Sequence, residues 1–343
     1  MDNFSIGVDL GGTNLRIAAV DAQGRLIEKV TLGTKVSLGR DHVINDMCDA
    51  IQRVADKYCN SAALLGIGIG VPGIIDMQTG LLRESPNLPD WADYPVRAEI
   101  EQRLKTRVIL ENDANVAALG EEWLGAAKDF DDMAMLTLGT GVGGGLVLGG
   151  KIWHGMNGMA GEFGHTTVEP EGHPCGCGNR GCLEQYASAT AVVRMAKEAI
   201  EKEGASGLGR AAHHDAEFSA KSIYNLAIQG DEDARRIFRR VGRCLGIVLS
   251  AMVNSLNLPI YVIGGGVSSA WEAFSPSIFD ELRQRSMVYA ATAPPDALAT
   301  NRGASAHVDP GPGHKTIITR ALLGSDAGLY GAARLPMMAE TNR

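Results

Sequence analysis

The chain has 343 residues, of which 45% are hydrophobic, and this length can form two domains with cores of their own. Lys and Arg number 32 against 40 Asp and Glu, so the net charge is −8, which together with the lack of a long basic run excludes nucleic acid as the expected partner. The N-terminus enters a strand at once, which excludes a signal peptide, and no apolar stretch reaches the length of a membrane span. The expected setting is the cytoplasm, with reduced thiols.

The first third of the chain predicts an α/β unit that opens with a β-meander. Strands are expected at 4–9, 15–21 and 26–31, with the Gly-rich turn 10–14 between the first two. Further along we expect a helix at 41–58, a strand at 64–71 that stops at Pro72 and Gly73, a helix at 95–105, a strand at 107–113 and a helix at 114–127.

The pattern then restarts, which indicates an internal duplication. A strand at 133–139, a Gly-rich turn at 140–145 and a strand hairpin at 146–152 repeat the opening of the chain. The second half adds helices at about 187–203, 220–229 and 231–256, strands at 259–266 and 315–324, and a last helix that Ser325 or Asp326 can cap. Two facing α/β halves form a cleft, where ligands commonly bind. Residues 293–313 are rich in Pro, Gly and Ala and predict a long surface loop.

Three cysteines fall within one Gly-rich segment that cannot build a core: Cys175, Cys177 and Cys182. With His165 upstream they can wrap a soft divalent ion, and zinc takes four such ligands in a closed structural site. Disulfides are the alternative, although the six cysteines do not form a secreted framework. The remaining cysteines, Cys48, Cys59 and Cys244, lie in apolar helical stretches and are expected to be buried thiols.

Gly-rich turns after strands predict phosphate contacts, because glycine lets backbone N–H groups approach an anion. Asp9 ends the first strand beside such a turn, where it would repel phosphate unless magnesium lies between them. The run Gly139–Gly144 matches G-x-G-x-x-G but precedes a strand instead of a helix, so a dinucleotide fold is rejected and a second phosphate-facing turn is expected. Gly264–Gly266 can cradle nucleotide or form a plain turn.

The segment Glu111-Asn112-Asp113 ends a strand and begins a helix, which places Asp113 at the helix's positive end. An ionised carboxylate there can accept a proton from a hydroxyl, although an N-cap role is the ordinary alternative. Asn112 and Asn115 suit hydroxyl recognition. In the loop 85–91, Asn87 can bind a sugar hydroxyl and Trp91 can pack on a sugar face, although a proline-stiffened loop explains both. Glu162 and Glu184 would be solvated acids by default, but the metal segment between them favours a defined position.

These motifs together resemble the ROK family (repressor, open reading frame, kinase) of the hexokinase, actin and heat-shock ATPase superfamily. The matches occur in order over nearly the whole chain, and the zinc segment is the most specific: D-x-G-G-T at 9–13, E-N-D at 111–113, G-T-G at 139–141, G-E-x-G-H at 161–165, C-x-C-G-x-x-G-C-x-E at 175–184 and G-G-G at 264–266. The 293–313 loop is longer than the family usually has, and we assign it no role. The chain starts at the first strand, so the helix-turn-helix of ROK repressors is not expected.

The resemblance implies two ribonuclease-H-like domains that flank a cleft and close on ATP and a hexose. Their expected boundaries are 1–118 for a small N-terminal domain and 119–324 for a larger domain with the zinc segment 161–184, and the last helix, about 325–337, returns to the first. Asp113 matches the family's general base. The resemblance also implies the contacts of each ligand. The sugar is expected to contact Gly73, Asn87, Asn112, Asp113, Glu162, His165 and Glu184. The phosphates and the nucleotide are expected to contact Asp9, Gly11, Gly12, Thr13, Thr140, Gly141 and Gly265, and zinc is expected to be bound by His165, Cys175, Cys177 and Cys182.

The expected activity is ATP-dependent phosphorylation of the 6-hydroxyl of glucose, with Mg²⁺ as cofactor and a structural Zn²⁺. Alternatives are an N-acetylhexosamine kinase acting on GlcNAc or ManNAc, a fructokinase or allose kinase, and a sugar-sensing regulator without catalysis. An actin-like scaffold is disfavoured by the sugar-side carboxylates and the zinc segment. The family precedent implies a homodimer or a dimer of dimers, with neither nucleic acid nor membrane as a partner.

Overall fold

The computed structural model describes residues 3–85, 87–204, 206–214, 218–294 and 315–341. All but the first two residues of the predicted loop 293–313 lie outside this part of the chain. The strands are β1 Asn3–Leu10, β2 Asn14–Asp21, β3 Leu26–Gly33, β4 Ala63–Val71, β5 Ile74–Asp76, β6 Leu81–Glu84, β7 Val108–Asn112, β8 Met133–Leu138, β9 Val142–Leu148, β10 Lys151–Ile152, β11 Ile260–Gly264 and β12 Ile317–Arg320. The helices are α1 Arg40–Tyr58, α2 Val96–Leu104, α3 Asp113–Trp123, α4 Glu184–Ala187, α5 Ala189–Glu203, α6 Ser206–His214, α7 Ala220–Ile228, α8 Glu232–Leu256, α9 Trp271–Arg285, α10 Met287–Thr292 and α11 Ala327–Thr341.

Two five-stranded sheets repeat the same strand order. The first runs β3-β2-β1-β4-β7 and the second β10-β9-β8-β11-β12. In the first sheet β1, β2 and β3 pair antiparallel, whereas β1, β4 and β7 pair parallel. In the second sheet β9 and β10 pair antiparallel, whereas β8, β11 and β12 pair parallel. The predicted duplication is therefore visible in the topology, and the α/β class is confirmed.

The residues form two compact units that differ from the predicted domains. The first contains Met1–Asp131, Gly145–Gly161 and Leu322–Arg343, and the second contains Asp132–Gly144 and Glu162–Ala321. The predicted boundary at residue 118 would cut through α3, which lies wholly in the first unit. This helix packs closely on α11, since a Cβ placed on Gly331 would lie 1.7 Å from the carbonyl oxygen of Val116.

Glycines in two strands of the first unit bring α11 onto its sheet. A Cβ on Gly68 would lie 1.9 Å from the carbonyl oxygen of Ala332, and a Cβ on Gly7 would lie 2.3 Å from that of Leu329. Because these strands lack side chains at the contact, helix backbone and sheet backbone touch directly. The helix begins at Ala327, directly after the predicted capping positions, and continues through Pro336.

The core of the first unit also explains one wrong interpretation. Trp91, which the sequence analysis offered to a sugar face, is 1% exposed and belongs to this core. Its ring meets Tyr94 edge-on with centroids 6.0 Å apart. A large aromatic ring gains most by such burial, so the tryptophan anchors the loop that carries Asn87 instead of facing a ligand.

The second unit is rich in helices that the sequence analysis predicted only in part. Helices α6, α9 and α10 were not predicted, and α9 contains Pro276, a residue that normally interrupts a helix pattern. Helix α9 packs on α8 at Gly242, where a Cβ would lie 2.0 Å from the carbonyl oxygen of Phe274. Asp231 caps α8 by accepting a hydrogen bond from the backbone N–H of Ala234 at 2.9 Å.

Two smaller predictions need correction. The turn expected at 140–145 is shorter, because β9 already begins at Val142. The exposed thiol of Cys59, at the C-terminal end of α1, was expected to be buried, whereas Cys48 and Cys244 are buried as predicted. None of the described helices combines the length and the apolar character that crossing a bilayer requires.

Candidate functional site

The Glu-Asn-Asp turn joins β7 to α3 and fixes three predicted ligand residues. Asn112 is the N-cap of α3, and its Oδ1 accepts hydrogen bonds from the backbone N–H groups of Ala114 at 2.9 Å and Asn115 at 3.2 Å. Its Nδ2 donates to the carbonyl oxygen of Gly73 at 3.2 Å. The structure therefore brings Gly73, Asn112 and Asp113 together in the first unit. Gly73 has φ 121°, a conformation that favours glycine.

Asp113 is the first residue of α3, one position after the cap. The alternative that Asp113 itself is the N-cap is therefore wrong, because Asn112 fills that position. The carboxylate is half-buried and its Oδ1 accepts a hydrogen bond from the backbone N–H of Ala114 at 2.9 Å. Both the helix N-terminus and this N–H favour the ionised form, which is the form that can accept a proton from a hydroxyl.

A pair next to this turn, buried Glu111 and partly exposed His154, was missed by the sequence analysis. Glu111 is 2% exposed and its Oε2 lies 2.6 Å from Nε2 of His154. Its Oε1 accepts hydrogen bonds at 2.9 Å from the backbone N–H of Asn112 and from Nδ2 of Asn115. Asn115 is itself 3% exposed, so its predicted role in hydroxyl recognition is wrong. The hydrogen bond to Glu111 raises the pKa of His154 above its usual value.

The first Gly-rich turn, between β1 and β2, is closed by short contacts within its hairpin and with Thr34, which follows β3. The backbone N–H of Gly11 donates to the carbonyl oxygen of Asn14 at 2.9 Å. The Thr34 hydroxyl donates to the carbonyl oxygen of Gly11 at 2.6 Å. A Cβ on Gly12 would lie 3.4 Å from Cβ of Asn87, so the predicted sugar residue Asn87 stands beside the predicted phosphate turn. Gly12, Thr13 and Asn87 are all exposed.

Asp9 has a cationic partner that the sequence analysis did not identify. Arg16 is its antiparallel neighbour on β2, and the two side chains form an ion pair with Nη1 2.9 Å from Oδ2. Burial raises the pKa of Asp9, and the Arg16 guanidinium counteracts this shift. The spacing of seven residues across a predicted hairpin was the signal that could have revealed Arg16. The structure thus places a carboxylate and a guanidinium together at the end of β1.

The second Gly-rich turn, between β8 and β9, is held by residues far along the chain. The backbone N–H of Ala189 donates to the carbonyl oxygen of Gly139 at 2.8 Å, and the Thr190 hydroxyl donates to that of Thr140 at 2.8 Å. Gly265 follows β11 with φ 80°, and a Cβ on it would lie 2.5 Å from the backbone of Leu138. The predicted nucleotide residues Thr140, Gly141 and Gly265 thus belong to loops at the ends of β8 and β11.

The cysteine segment forms a four-ligand cluster with His165. The candidate ligand atoms of His165, Cys175, Cys177 and Cys182 all lie within 4.8 Å of one another. Sγ of Cys177 lies 3.7 Å from Sγ of Cys182, and Sγ of Cys175 lies 3.7 Å from Nδ1 of His165. Zinc bound to sulfur at about 2.3 Å in a tetrahedron places two sulfurs about 3.8 Å apart, whereas a disulfide needs about 2.05 Å. The cluster has the dimensions of a zinc site, and the disulfide alternative is wrong because all six cysteines are unpaired.

Side chains around the cluster are arranged to stabilise thiolates. Nδ2 of Asn179 donates to Sγ of Cys182 at 3.4 Å, and Nε2 of Gln185 donates to Sγ of Cys175 at 3.6 Å. The backbone N–H of Asn179 lowers the pKa of Cys177, whereas burial raises the pKa of Cys182 to about 12. A divalent cation at the centre is what would keep all the sulfurs deprotonated. The donor set therefore fits zinc.

The second unit contains three predicted sugar residues, and each lies at the cluster or at the second Gly-rich turn. His165 uses Nδ1 toward Cys175, while its Nε2 lies 3.8 Å from Oε2 of Glu162, a half-exposed carboxylate. Glu184 begins α4, and its Oε2 accepts a hydrogen bond from the backbone N–H of Val142 at 3.0 Å. The structure thus places Glu162 beside the cluster and Glu184 beside the second Gly-rich turn.

Comparison with known proteins gives a consistent result. Residues 5–337 match the model of the ROK family. The chain is 36% identical to a glucokinase of Halalkalibacterium halodurans, over 99% of this chain and 97% of the relative, and 40% identical to a glucokinase of Thermotoga maritima, over 83% and 87%. The crystal structure of a ROK family glucokinase from Streptomyces griseus, in complex with glucose and AMPPNP, superposes with a TM-score of 0.72 at 34% identity, covering 98% of this chain and 99% of that one.

Proposed function

We propose, from the premise that this chain belongs to the ROK family, that it transfers the γ-phosphoryl group of ATP to the 6-hydroxyl of glucose. The observation that carries the proposal is the position of Asp113, at the first turn of a capped helix and next to an amide that also contacts Gly73. The similar proteins named glucokinase, one of them solved with glucose and AMPPNP, support the choice of substrates.

In this proposal Asp113 is the general base. Its carboxylate accepts the proton of the 6-hydroxyl as that oxygen attacks the γ-phosphorus of ATP, and ADP leaves with the electrons of the broken bond. The helix N-terminus favours the ionised carboxylate, and the backbone N–H of Ala114 donates a hydrogen bond to it at 2.9 Å. Glu111 and His154 hold the same turn from behind, so they position the base without touching the sugar.

The sugar is recognised by polar side chains from several loops. Asn112 has two N–H donors on its amide and directs one of them to Gly73, so the other can serve a hydroxyl. Glu162 and Glu184 accept hydrogen bonds from sugar hydroxyls, and the Nε2–H of His165 can donate one when Nδ1 faces the cysteines. Hydroxyl recognition by carboxylates and amides is strong because an unpaired polar group in such a site is costly. The full proposed set is Gly73, Asn87, Asn112, Asp113, Glu162, His165 and Glu184.

The Gly-rich turns bind the triphosphate in this proposal. The backbone N–H groups of Gly12 and Gly141, with the hydroxyls of Thr13 and Thr140, are donors for phosphate oxygens in this proposal. Gly11, whose N–H closes the first turn, lets the backbone approach the phosphate. Gly265 leaves room for the nucleotide beside the second turn. Asp9 would hold Mg²⁺, directly or through water, and Mg²⁺ supplies charge neutralisation on the β- and γ-phosphates. Arg16 supplies a fixed cation at the same place.

Zinc, held by His165, Cys175, Cys177 and Cys182, would fix the geometry of the loop that bears Glu162 and Glu184. Its contribution is structural, and each catalytic step belongs to the side chains above. The unpaired state of all six cysteines suits a reducing compartment, so we also propose the cytoplasm. A homodimer or dimer of dimers remains the family-based expectation.

The test is a coupled assay of ADP release with purified protein, ATP and one sugar at a time. Glucose should give the highest kcat/KM among glucose, mannose, fructose, allose, GlcNAc and ManNAc. A product analysis by NMR should place the phosphate on the oxygen of carbon 6. Higher kcat/KM with GlcNAc or ManNAc would replace glucose by an N-acetylhexosamine, and no ADP release with any sugar would refute a kinase. Polyphosphate in place of ATP tests the identity of the donor.

A further inference from the structure

The second Gly-rich turn depends on a carboxylate that the proposed function gives to the sugar. Oε2 of Glu184 accepts the backbone N–H of Val142 at 3.0 Å, and Val142 is the residue that follows the turn Gly139–Gly141. The fit is close, because a Cβ on Gly141 would lie 2.4 Å from the same Oε2. A side chain at position 141 would therefore displace the Glu184 carboxylate from its place beside this backbone.

Further contacts attach the same turn to segments that carry proposed sugar ligands. Directly after α4, Ala189 and Thr190 bind the carbonyl oxygens of Gly139 and Thr140, each at 2.8 Å. Gly164, which lies between Glu162 and His165, approaches from another direction, since a Cβ on it would lie 2.1 Å from the carbonyl oxygen of Val142. The backbone N–H of Val142 thus meets Glu184, and its carbonyl oxygen meets Gly164.

We infer that Glu184 is a positioning residue for the nucleotide-binding turn, in addition to its proposed contact with the sugar. The inference rests on the proposed function for the identity of both ligands. A carboxylate offers about four acceptor positions, so one oxygen can hold Val142 while the other accepts a sugar hydroxyl. An N–H group makes a stronger hydrogen bond to a charged acceptor than to a neutral one. The hydrogen bond from Val142 to Glu184 therefore restrains the short glycine turn that precedes Val142.

The consequence is a coupling of the two substrates through one side chain. A glucose hydroxyl that orders the Glu184 carboxylate also orders the Val142 N–H and the turn before it. By thermodynamic linkage, the factor by which glucose strengthens nucleotide binding equals the factor by which nucleotide strengthens glucose binding. Glu184 is thus the residue at which recognition of the acceptor is transmitted to the donor.

The experiment measures binding of a non-hydrolysable ATP analogue with Mg²⁺ to the whole chain, by calorimetry, without sugar. Glu184→Ala should weaken this binding about 10-fold, because the turn loses a hydrogen bond to a charged acceptor. Glu184→Gln keeps an acceptor oxygen and should stay within about 3-fold of the wild type. Glu162→Ala is the matched control: it removes another proposed sugar carboxylate that does not contact the turn, so nucleotide binding should hold while glucose binding falls.

A second variant reaches the turn without touching the sugar. Thr190→Val removes the hydroxyl that donates to Thr140 and nearly preserves side-chain volume. It should raise KM for ATP about 3-fold or more at unchanged KM for glucose, since one neutral hydrogen bond is lost. This split between the two KM values is what a general loss of stability would not produce, and thermal midpoints and zinc content of each variant check that the fold is kept.

The outcomes separate the inference from the proposed function. If Glu184→Ala binds nucleotide within 2-fold of the wild type while glucose binding falls, the inference is overturned and the sugar role of Glu184 stands. If neither ligand is affected, both roles fail. If Glu184→Ala does not fold, Thr190→Val becomes the deciding variant. An unchanged KM for ATP in that variant would overturn the inference that nucleotide binding depends on the side chains that hold the second Gly-rich turn.

Discussion

The two Gly-rich turns occupy the same place in the two sheets, yet the side chains that stabilise them lie at different distances along the chain. The turn after β1 is closed by its own hairpin and by Thr34, with Arg16 neutralising Asp9 across the strands. The turn after β8 is held by Glu184 and Thr190, which lie 42 and 50 positions along the chain from their partners. A duplicated element has therefore kept its backbone while the source of its support has changed.

This difference has a functional meaning. The local turn, after β1, depends on its own hairpin and on Thr34, which follows β3 and lies 23 positions from its partner Gly11. The remote turn, after β8, has one hydrogen bond of its own, from the Gly139 N–H to the Gly141 carbonyl oxygen at 2.9 Å. Its other contacts come from the segment between Glu162 and Thr190, which carries both the cysteine cluster and proposed sugar ligands. In the proposed function a sugar ligand, Glu184, is hydrogen-bonded to the second turn, whereas Asn87 only stands beside the first turn, a difference that mutations can test.

The largest effect should come from a residue outside both turns. Asp113→Asn removes the proposed base but keeps its size and the cap at Asn112, so turnover should fall by roughly 10² to 10⁴. Because both turns remain, the affinities for glucose and for the ATP analogue should change by less than about 3-fold, within the spread of ordinary surface substitutions. Steady-state kinetics and calorimetry measure the two quantities, and near-normal turnover would exclude Asp113 as the base.

Removal of the metal should affect the remote turn selectively. Cys177→Ser removes one of the four proposed zinc ligands and should release the metal. Structural zinc contributes on the order of 10 kcal/mol of local folding energy, so its release should destabilise the segment around it. KM should then rise for glucose and for ATP together, although the first turn is untouched. Cys59→Ser, which removes an exposed thiol outside the cluster, is the control and should retain one zinc per chain. Zinc is measured by plasma emission spectrometry, and metal-free native protein would contradict the zinc assignment.

The local turn is probed through Arg16. Arg16→Gln removes the cation that offsets the burial of Asp9, so apparent affinity for ATP should fall about 10-fold, the loss of one charge-assisted contact. The pKa of Asp9 is already raised by burial and should rise further, and because the ionised form is required, the acid limb of the pH–activity profile should move to higher pH. An acid limb that stays in place, with unchanged KM for ATP, would show that Asp9 does not act at the phosphates.

The smallest effect concerns the pair behind Asp113. The pKa of His154 is raised in the folded chain by Glu111, so the pair stabilises the fold fully below the ordinary histidine pKa of about 6.5 and loses this contribution as pH rises through the raised value. His154 is about one-third exposed, with a side-chain accessibility of 35%, which screens the pair, so the thermal midpoint should fall by about 2 °C or less across that window.

His154→Gln retains a donor for Glu111 but does not titrate, so its thermal midpoint should lack this pH dependence. Thermal denaturation of wild type and variant between pH 6 and pH 9 measures the difference. Parallel curves for the two proteins would mean that His154 does not titrate in this range. The pH dependence of His154 is opposite to that of Asp9: the His154 pair loses its stabilising contribution as pH rises, whereas Asp9 loses its charge as pH falls.

Much of the fold could be predicted from the sequence because its signals are local. The β-meander, the two Gly-rich turns and the helix after Glu-Asn-Asp follow from side-chain periodicity and glycine placement within a few residues. The cysteine cluster could be predicted as well, since three thiols within eight residues among glycines leave few other structures. Helix α9 was missed because Pro276 interrupts its pattern, although packing on α8 sustains it.

The residue types at the strand ends can be read from the order of amino acids alone: they are the carboxylates, amides and glycines that phosphoryl transfer to a sugar requires. Which of them share a hydrogen bond depends on tertiary folding. It joined Glu111 to His154, joined Glu184 to Val142, buried Trp91 and assigned the helix cap to Asn112 in place of Asp113. These pairings depend on which buried groups can find partners after distant segments fold together, and a buried polar group must find one, so their cause is not contained in any short stretch of chain.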